Sequence, residues 1–110
     1  GQNNLAKVES ITALGRIGDP RAIQPLRDLL TNASAEIRQS ALQALGRLQA
    51  IEVADAIQPL LDDPNYWVGF RAGEALAAMG ELGRRRLQQA LSSRSVRGST
   101  MAKYFLAKMA

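Results

Sequence analysis

The sequence predicts an all-α fold, a right-handed α-solenoid of about three and a half stacked helix pairs, and three observations predict it. The first is a block that returns at a fixed step. Ala13-Leu14-Gly15-Arg16-Ile17-Gly18 reappears as Ala44-Leu45-Gly46-Arg47-Leu48-Gln49 and as Ala75-Leu76-Ala77-Ala78-Met79-Gly80, each 31 residues after the last (13 to 44, 44 to 75). A constant period of this size is the mark of stacked supersecondary units. The second is another block between those copies: Ala22-Ile23-Gln24-Pro25-Leu26 returns unchanged as Ala56-Ile57-Gln58-Pro59-Leu60, and loosely as Arg86-Leu87-Gln88-Gln89-Ala90-Leu91. Each repeat therefore holds two elements. The third is spacing. Ile37, Ala41, Ala44, Leu45 and Leu48, and then Val68, Ala72, Ala75, Leu76 and Met79, each fall on one face of a helix, and no stretch alternates as a strand does.

The elements follow in order. A helix at about 4–17 ends at Gly18, a residue suited to the left-handed turn that closes a helix. Asp19-Pro20 opens the next, at about 20–31, by placing a capping carboxylate before a proline fit for the first helical position. Ser34 caps a helix at about 35–48, and a further one spans about 51–62. Pro25 and Pro59 lie about one turn inside their helices, where the missing amide frees a carbonyl, so these first helices of each pair should be kinked. Asp63-Pro64 repeats the opening signal for about 65–79, which Gly80 ends. Helices at about 82–92 and 96–109 complete the chain, the last carrying a faint copy, Phe105-Leu106-Ala107-Lys108-Met109-Ala110, at a step of 30 (75 to 105). The result is a lone second helix followed by three pairs.

Composition bounds what such a stack does. A length of 110 residues, 46% hydrophobic and 22% charged, fits one globular domain, residues 1–110. With no Cys and no His there are no disulfides, no thiol nucleophile and none of the commonest metal ligands or general bases. No catalytic residue, metal site or cofactor is therefore assigned. The adjacent Asp62 and Asp63 sit at a helix end where capping accounts for Asp63, and nothing suggests a pocket for a catalytic dyad. No apolar run reaches the roughly 18 residues that span a bilayer, and Gly1-Gln2-Asn3-Asn4 lacks signal-peptide character, so a cytoplasmic protein is expected. A first residue that is not Met, and a stack that opens on an unpaired second helix, lead us to expect a piece of a longer protein. Its N-terminal edge is then apolar and able to self-associate.

These residues resemble a known family. An Asp-Pro turn, a proline-bearing first helix, a Val/Ile-Arg pair such as Ile37-Arg38 and a second helix ending Ala44-Leu45-Gly46 are similar to HEAT repeats, in particular the bacterial HEAT-like type named after phycobilisome lyase subunits. The resemblance covers about Val8 to Ala110. In the next copy Val68 is followed by Gly69 in place of Arg, and in the last Val96-Arg97 and Leu106 are two residues too far apart. The family implies a scaffold whose second helices line a concave face that holds a protein partner. It also implies two alternatives: a nucleic-acid binder similar in plan to HEAT-like DNA glycosylases, and a bilin lyase-type subunit.

Two groups of residues are candidates for contact. On the helix at 65–79, Trp67, Phe70, Arg71 and Glu74 form a stripe off the core face. One step back the same places hold Glu36, Gln39, Ser40 and Gln43, all polar; one step on they hold Arg97, Thr100, Met101 and Tyr104. Trp67, Phe70, Arg71, Glu74, Arg97 and Tyr104 are thus the expected partner-binding set, rich in the residue types that dominate protein interfaces. The competing account is that Trp67 and Phe70 only cover neighbouring helices. Charge marks the second group. Residues 1–55 carry six basic and six acidic side chains, whereas 82–110 carry seven basic ones and no acid, so Arg84, Arg85, Arg86 and Arg94 form a candidate basic patch for an anionic partner. Solvation of an end repeat is the plainer account. Gly69 and Gly73, four apart on one helix, permit close approach of a neighbour.

Overall fold

In the computed structural model, which describes residues 2–110, seven helices pack in sequential pairs as a short α-solenoid. The second helices are α1 (Gln2–Arg16), α3 (Ala35–Arg47), α5 (Tyr66–Ala77) and α7 (Val96–Met109), and each packs on the next to form a row. The first helices are α2 (Ile23–Asp28), α4 (Ala54–Ile57) and α6 (Gly80–Ala90). The stack measures 39 × 25 × 18 Å. Its buried side chains form one connected cluster from Ile11 to Phe105, with Leu26, Leu42, Leu45, Ile57, Leu61, Leu76 and Leu87 at its centre.

The expected kinks take a definite form. α2 is flanked by 3-10 turns at Pro20–Ala22 and Leu29–Thr31, and α4 by Ile51–Val53 and Gln58–Asp62, so both proline-bearing helices are assembled from short α and 3-10 pieces. Proline has no amide to continue the i to i−4 ladder, and the tighter 3-10 pattern re-pairs some of the groups this leaves. α6 has no proline and runs unbroken from Gly80, two residues before its expected start. Arg84, Arg85 and Arg86 lie inside this helix, as expected, and their side chains fan out around it.

Helix ends repeat in detail. Asp19 caps its 3-10 turn by accepting the Arg21 amide at 2.9 Å, and Ser34 accepts the Ile37 amide at 3.5 Å. The expected capping role of Asp63 is corrected: Asn65 caps α5, its Oδ1 accepting from the Trp67 and Val68 amides at 2.9 and 3.2 Å. Asp63 instead shapes the turn before it, accepting the Asn65 amide at 2.9 Å, just as Asn32 accepts from Ser34 at 2.8 Å and Ser93 from Ser95 at 3.1 Å. These turns follow the 31- and 30-residue steps (32 to 63, 63 to 93). At the far ends, Gly18, Gln49 and Gly80, again 31 apart, all have positive φ of 79°, 49° and 67°. Bonds from Asp19 N to Leu14 O (3.0 Å) and Ala50 N to Leu45 O (3.1 Å) close the first two in Schellman fashion.

The cap at Ser95 settles the last register. Counting from each cap, Gly98 takes the place of Ile37 and Val68, and Ser99 that of Arg38 and Gly69. Val96, matched by sequence to the Val/Ile-Arg pair of the earlier copies, is 78% exposed in the first turn of α7, and Arg97 is exposed beside it. The later positions, Phe105, Leu106 and Met109, hold the expected 30-residue step.

Candidate interaction surface

The five aromatic rings of the chain form one cluster across the seam between α5 and α7. Phe70 is its centre, with ring centroids 5.8 Å from Trp67, 6.4 Å from Tyr66, 6.1 Å from Tyr104 and 5.1 Å from Phe105; Tyr66 and Trp67 meet edge to face at 5.0 Å, as do Tyr104 and Phe105. Edge-to-face contacts at these distances match the ring quadrupoles. Glycine spacing explains how the cluster fits: a Cβ on Gly73 would stand 2.3 Å from the Phe105 ring, and one on Gly69 would reach Leu61 O at 3.0 Å. The close approach expected along Gly69 and Gly73 is present, and it is packing.

Burial divides the cluster. Phe105 is buried and Phe70 half-buried against the core, so Phe70 does cover its neighbours. Tyr66, Trp67 and Tyr104 are 61%, 54% and 46% exposed. Beside Tyr66 and Tyr104 a groove of about 360 Å³ opens between α5, α7 and the turn at 61–64, lined by Leu61, Asp63, Pro64, Tyr66, Gly69, Val96, Arg97, Thr100, Met101 and Tyr104.

The six expected contact residues fall on the row of second helices but not at one spot. Tyr104 and Arg97 line the α5/α7 groove. Arg71 and Glu74, ion-paired at 3.0 Å, face the other way into the α3/α5 groove with Gln43 and Arg47. Trp67 and Phe70 form the ridge between, with the Arg71 guanidinium 5.7 Å from the Phe70 ring. Sequence reasoning missed Tyr66 and Val96, and Met101, which the 30-residue step sets on the same stripe as Arg97 and Tyr104, was not among the expected contacts.

The basic patch disperses. Arg85 lies 3.7 Å from Glu81, and Arg86 donates to Gln89 at 3.4 Å in a groove that also holds Asp55 and Asp62. Arg84 and Arg94 are exposed. Asp62 and Asp63 are both engaged, Asp62 with the Ser95 hydroxyl and Asp63 with Arg38, whose Nε and Nη2 each donate to it at 3.0 Å. The Arg38 Nη1 also donates to the Asn32 and Ala33 carbonyls, tying one turn to the next. Among the described residues there is no group of three His, Cys, Asp or Glu side chains placed to hold a metal, and no helix long and apolar enough to cross a membrane.

No curated protein matches the sequence. The description "HEAT repeats" matches residues 2–46 and 28–100, which together take in the row α1, α3 and α5, all the first helices and the start of α7. With its 31-residue step and its sequentially paired helices, the chain belongs to the HEAT repeat family.

Proposed function

We propose that the chain is a non-catalytic protein-interaction scaffold that holds its partner on the row of second helices, at the aromatic ridge of the last two repeats. HEAT repeats generally serve as such scaffolds. One observation carries the reading: three large rings, Tyr66, Trp67 and Tyr104, stay about half exposed beside an open apolar groove although the buried core lies next to them. Covering the exposed half of Trp67 alone removes roughly 100 Å² of apolar surface from water, worth about 2–3 kcal/mol. Contiguous exposed rings of this kind mark interaction sites. The narrower likeness to phycobilisome lyase-type repeats rests on Ile37-Arg38 and Ala44-Leu45-Gly46, and we keep it as a proposal of subtype.

Nucleic acid is the weaker reading. Backbone phosphates need cations along a continuous track, whereas the α1/α3 groove sets Glu9 and Glu36 against the single Arg16, and Arg85 is already beside Glu81. The scaffold reading is tested by placing a photo-crosslinking residue at position 67 and, separately, at exposed Gln24 on the first-helix row. A partner trapped from position 67 and lost on Tyr66→Ala with Tyr104→Ala, at unchanged helicity, supports it. Equal trapping from both positions refutes it.

A further inference from the structure

A device used one step earlier is missing beside the α5/α7 groove. Between α3 and the turn before α5, Arg38 reaches across to Asp63 and to two carbonyls. One step on, counted from the caps, the same two places are Gly69 and Ser93, which cannot form an ion pair. Gly69 lines the groove, where the earlier repeat has a long guanidinium-bearing side chain.

Resting on the scaffold reading above, we infer that this groove takes a short peptide segment that presents a large apolar side chain next to acidic residues. Size comes first. About 360 Å³ lies at the small end of the range of small-molecule pockets, enough for one or two side chains and too little for a docked helix. Lining comes second: Leu61, Met101, Tyr66 and Tyr104 offer an apolar site whose rings lose little conformational freedom on contact.

Charge decides the flank. Asp63, the carboxylate that lines the groove, has both oxygens taken by Arg38, and its exposed neighbour Asp62 lies outside the lining, on the Ser95 hydroxyl. Arg97 at the edge is exposed and makes no ion pair among the described residues, and residues 82–110 contain no acid. Aromatic rings also attract cations. Here the Lys108 ammonium already lies 5.3 Å from the Tyr104 ring, and a second cation would meet both it and Arg97. An acidic flank is attracted by the same two groups.

The test uses three labelled, capped hexapeptides: Asp-Glu-Leu-Phe-Glu-Asp, the same sequence with Ala-Ala at its centre, and the same centre flanked by lysines, together with a short oligothymidylate. Binding is read by anisotropy of the label and by emission of Trp67, the only tryptophan. The acidic Leu-Phe peptide should bind saturably, about tenfold more weakly with Ala-Ala and about tenfold more weakly in high salt. Arg97→Glu, at an exposed position, should reverse the order of the acidic and lysine-flanked peptides. Absence of saturable binding by any peptide, an equal or better lysine-flanked peptide, tighter oligothymidylate, or no reversal in Arg97→Glu each overturn the inference. If crosslinking from position 67 still traps a partner while the acidic peptide fails, the scaffold reading stands and this inference alone falls.

Discussion

Replacing Gly73 by Leu and Phe105 by Ala together should cost far less than the two changes apart. The seam between α5 and α7 puts the edge of the Phe105 ring where a Cβ of residue 73 would be, with Cδ2 at 2.3 Å and Cε2 at 2.5 Å from that point. One repeat earlier the corresponding positions are Leu42 and Ala75, so the large and small partners have changed sides. Phe105→Ala empties a site that is 5% exposed and should cost about 3–5 kcal/mol. Gly73→Leu forces the ring away at about 1–3 kcal/mol, offset by about 1 kcal/mol for removing a glycine from a helix interior. Independent effects would sum to roughly 3–7 kcal/mol, centred on about 5 kcal/mol. If the seam is a volume exchange, the Leu enters the space the ring vacates and the double variant loses about 2 kcal/mol, a coupling of about 3 kcal/mol. Urea unfolding followed by far-UV circular dichroism measures all four corners of the cycle. A double variant whose loss equals the sum of the singles refutes the reasoning.

Two further outcomes are expected. Gln49 holds the positive φ that its repeat-mates assign to Gly18 and Gly80, and its Nε2 recovers part of the cost by donating to Ala78 O at 2.9 Å. Gln49→Gly relieves about 1 kcal/mol of backbone strain and loses a bond worth about 0.5–1 kcal/mol, so it should be near neutral, whereas Gln49→Ala keeps the strain and should be about 1 kcal/mol less stable than Gln49→Gly. Thermal melts in which Ala equals or exceeds Gly at this position would contradict the left-handed turn. The Arg21 side chain, and then its amide, hydrogen-bond the Asp19 carboxyl and hold it below the usual aspartate value. A lowered value in the folded state means the charged cap stabilises the fold above the ordinary aspartate range and stops doing so as pH falls through the lowered one. Carbon-detected NMR titration should show Asp19 moving back up in Arg21→Ala; an unmoved midpoint would show that the guanidinium has no part in it.

Much of the architecture was legible because it repeats. The helices expected at 20–31, 51–62 and 96–109 agree with the observed spans, since the two short blocks recur at almost constant distance and each helix must bury the same stripe. What misled were residues whose local chemistry suits two jobs. Asp63 before Pro64 reads as a cap, yet Asn65 two residues on does the capping because Asp63 is held by Arg38 from the preceding repeat, a contact 25 positions away in the chain. Val96-Arg97 looks like the start of a core stripe, and only the cap at Ser95 shows that glycine stands at the core position instead. The contact surface was legible in part. Trp67, Phe70 and Tyr104 stand out as departures from polar positions in the repeat, but which groove each faces depends on the rotation of α5, which places Arg71 and Glu74 toward α3 and leaves Tyr66 toward α7. Clustered basic letters carry little geometric information, since consecutive residues of α6 point in different directions.

Gathering every aromatic ring between residues 66 and 105 also divides the molecule optically. The half built from α1 to α4 contains no near-ultraviolet chromophore, while peptide absorption is spread over the whole stack. A solenoid couples mainly nearest neighbours and can melt from an end. Fraying that starts at α1 would therefore lower the backbone signal while tryptophan emission stayed native, whereas melting from α7 would disturb the emission from the outset, together with the backbone signal. The offset between the two curves reads the direction in which the stack comes apart, with no label added.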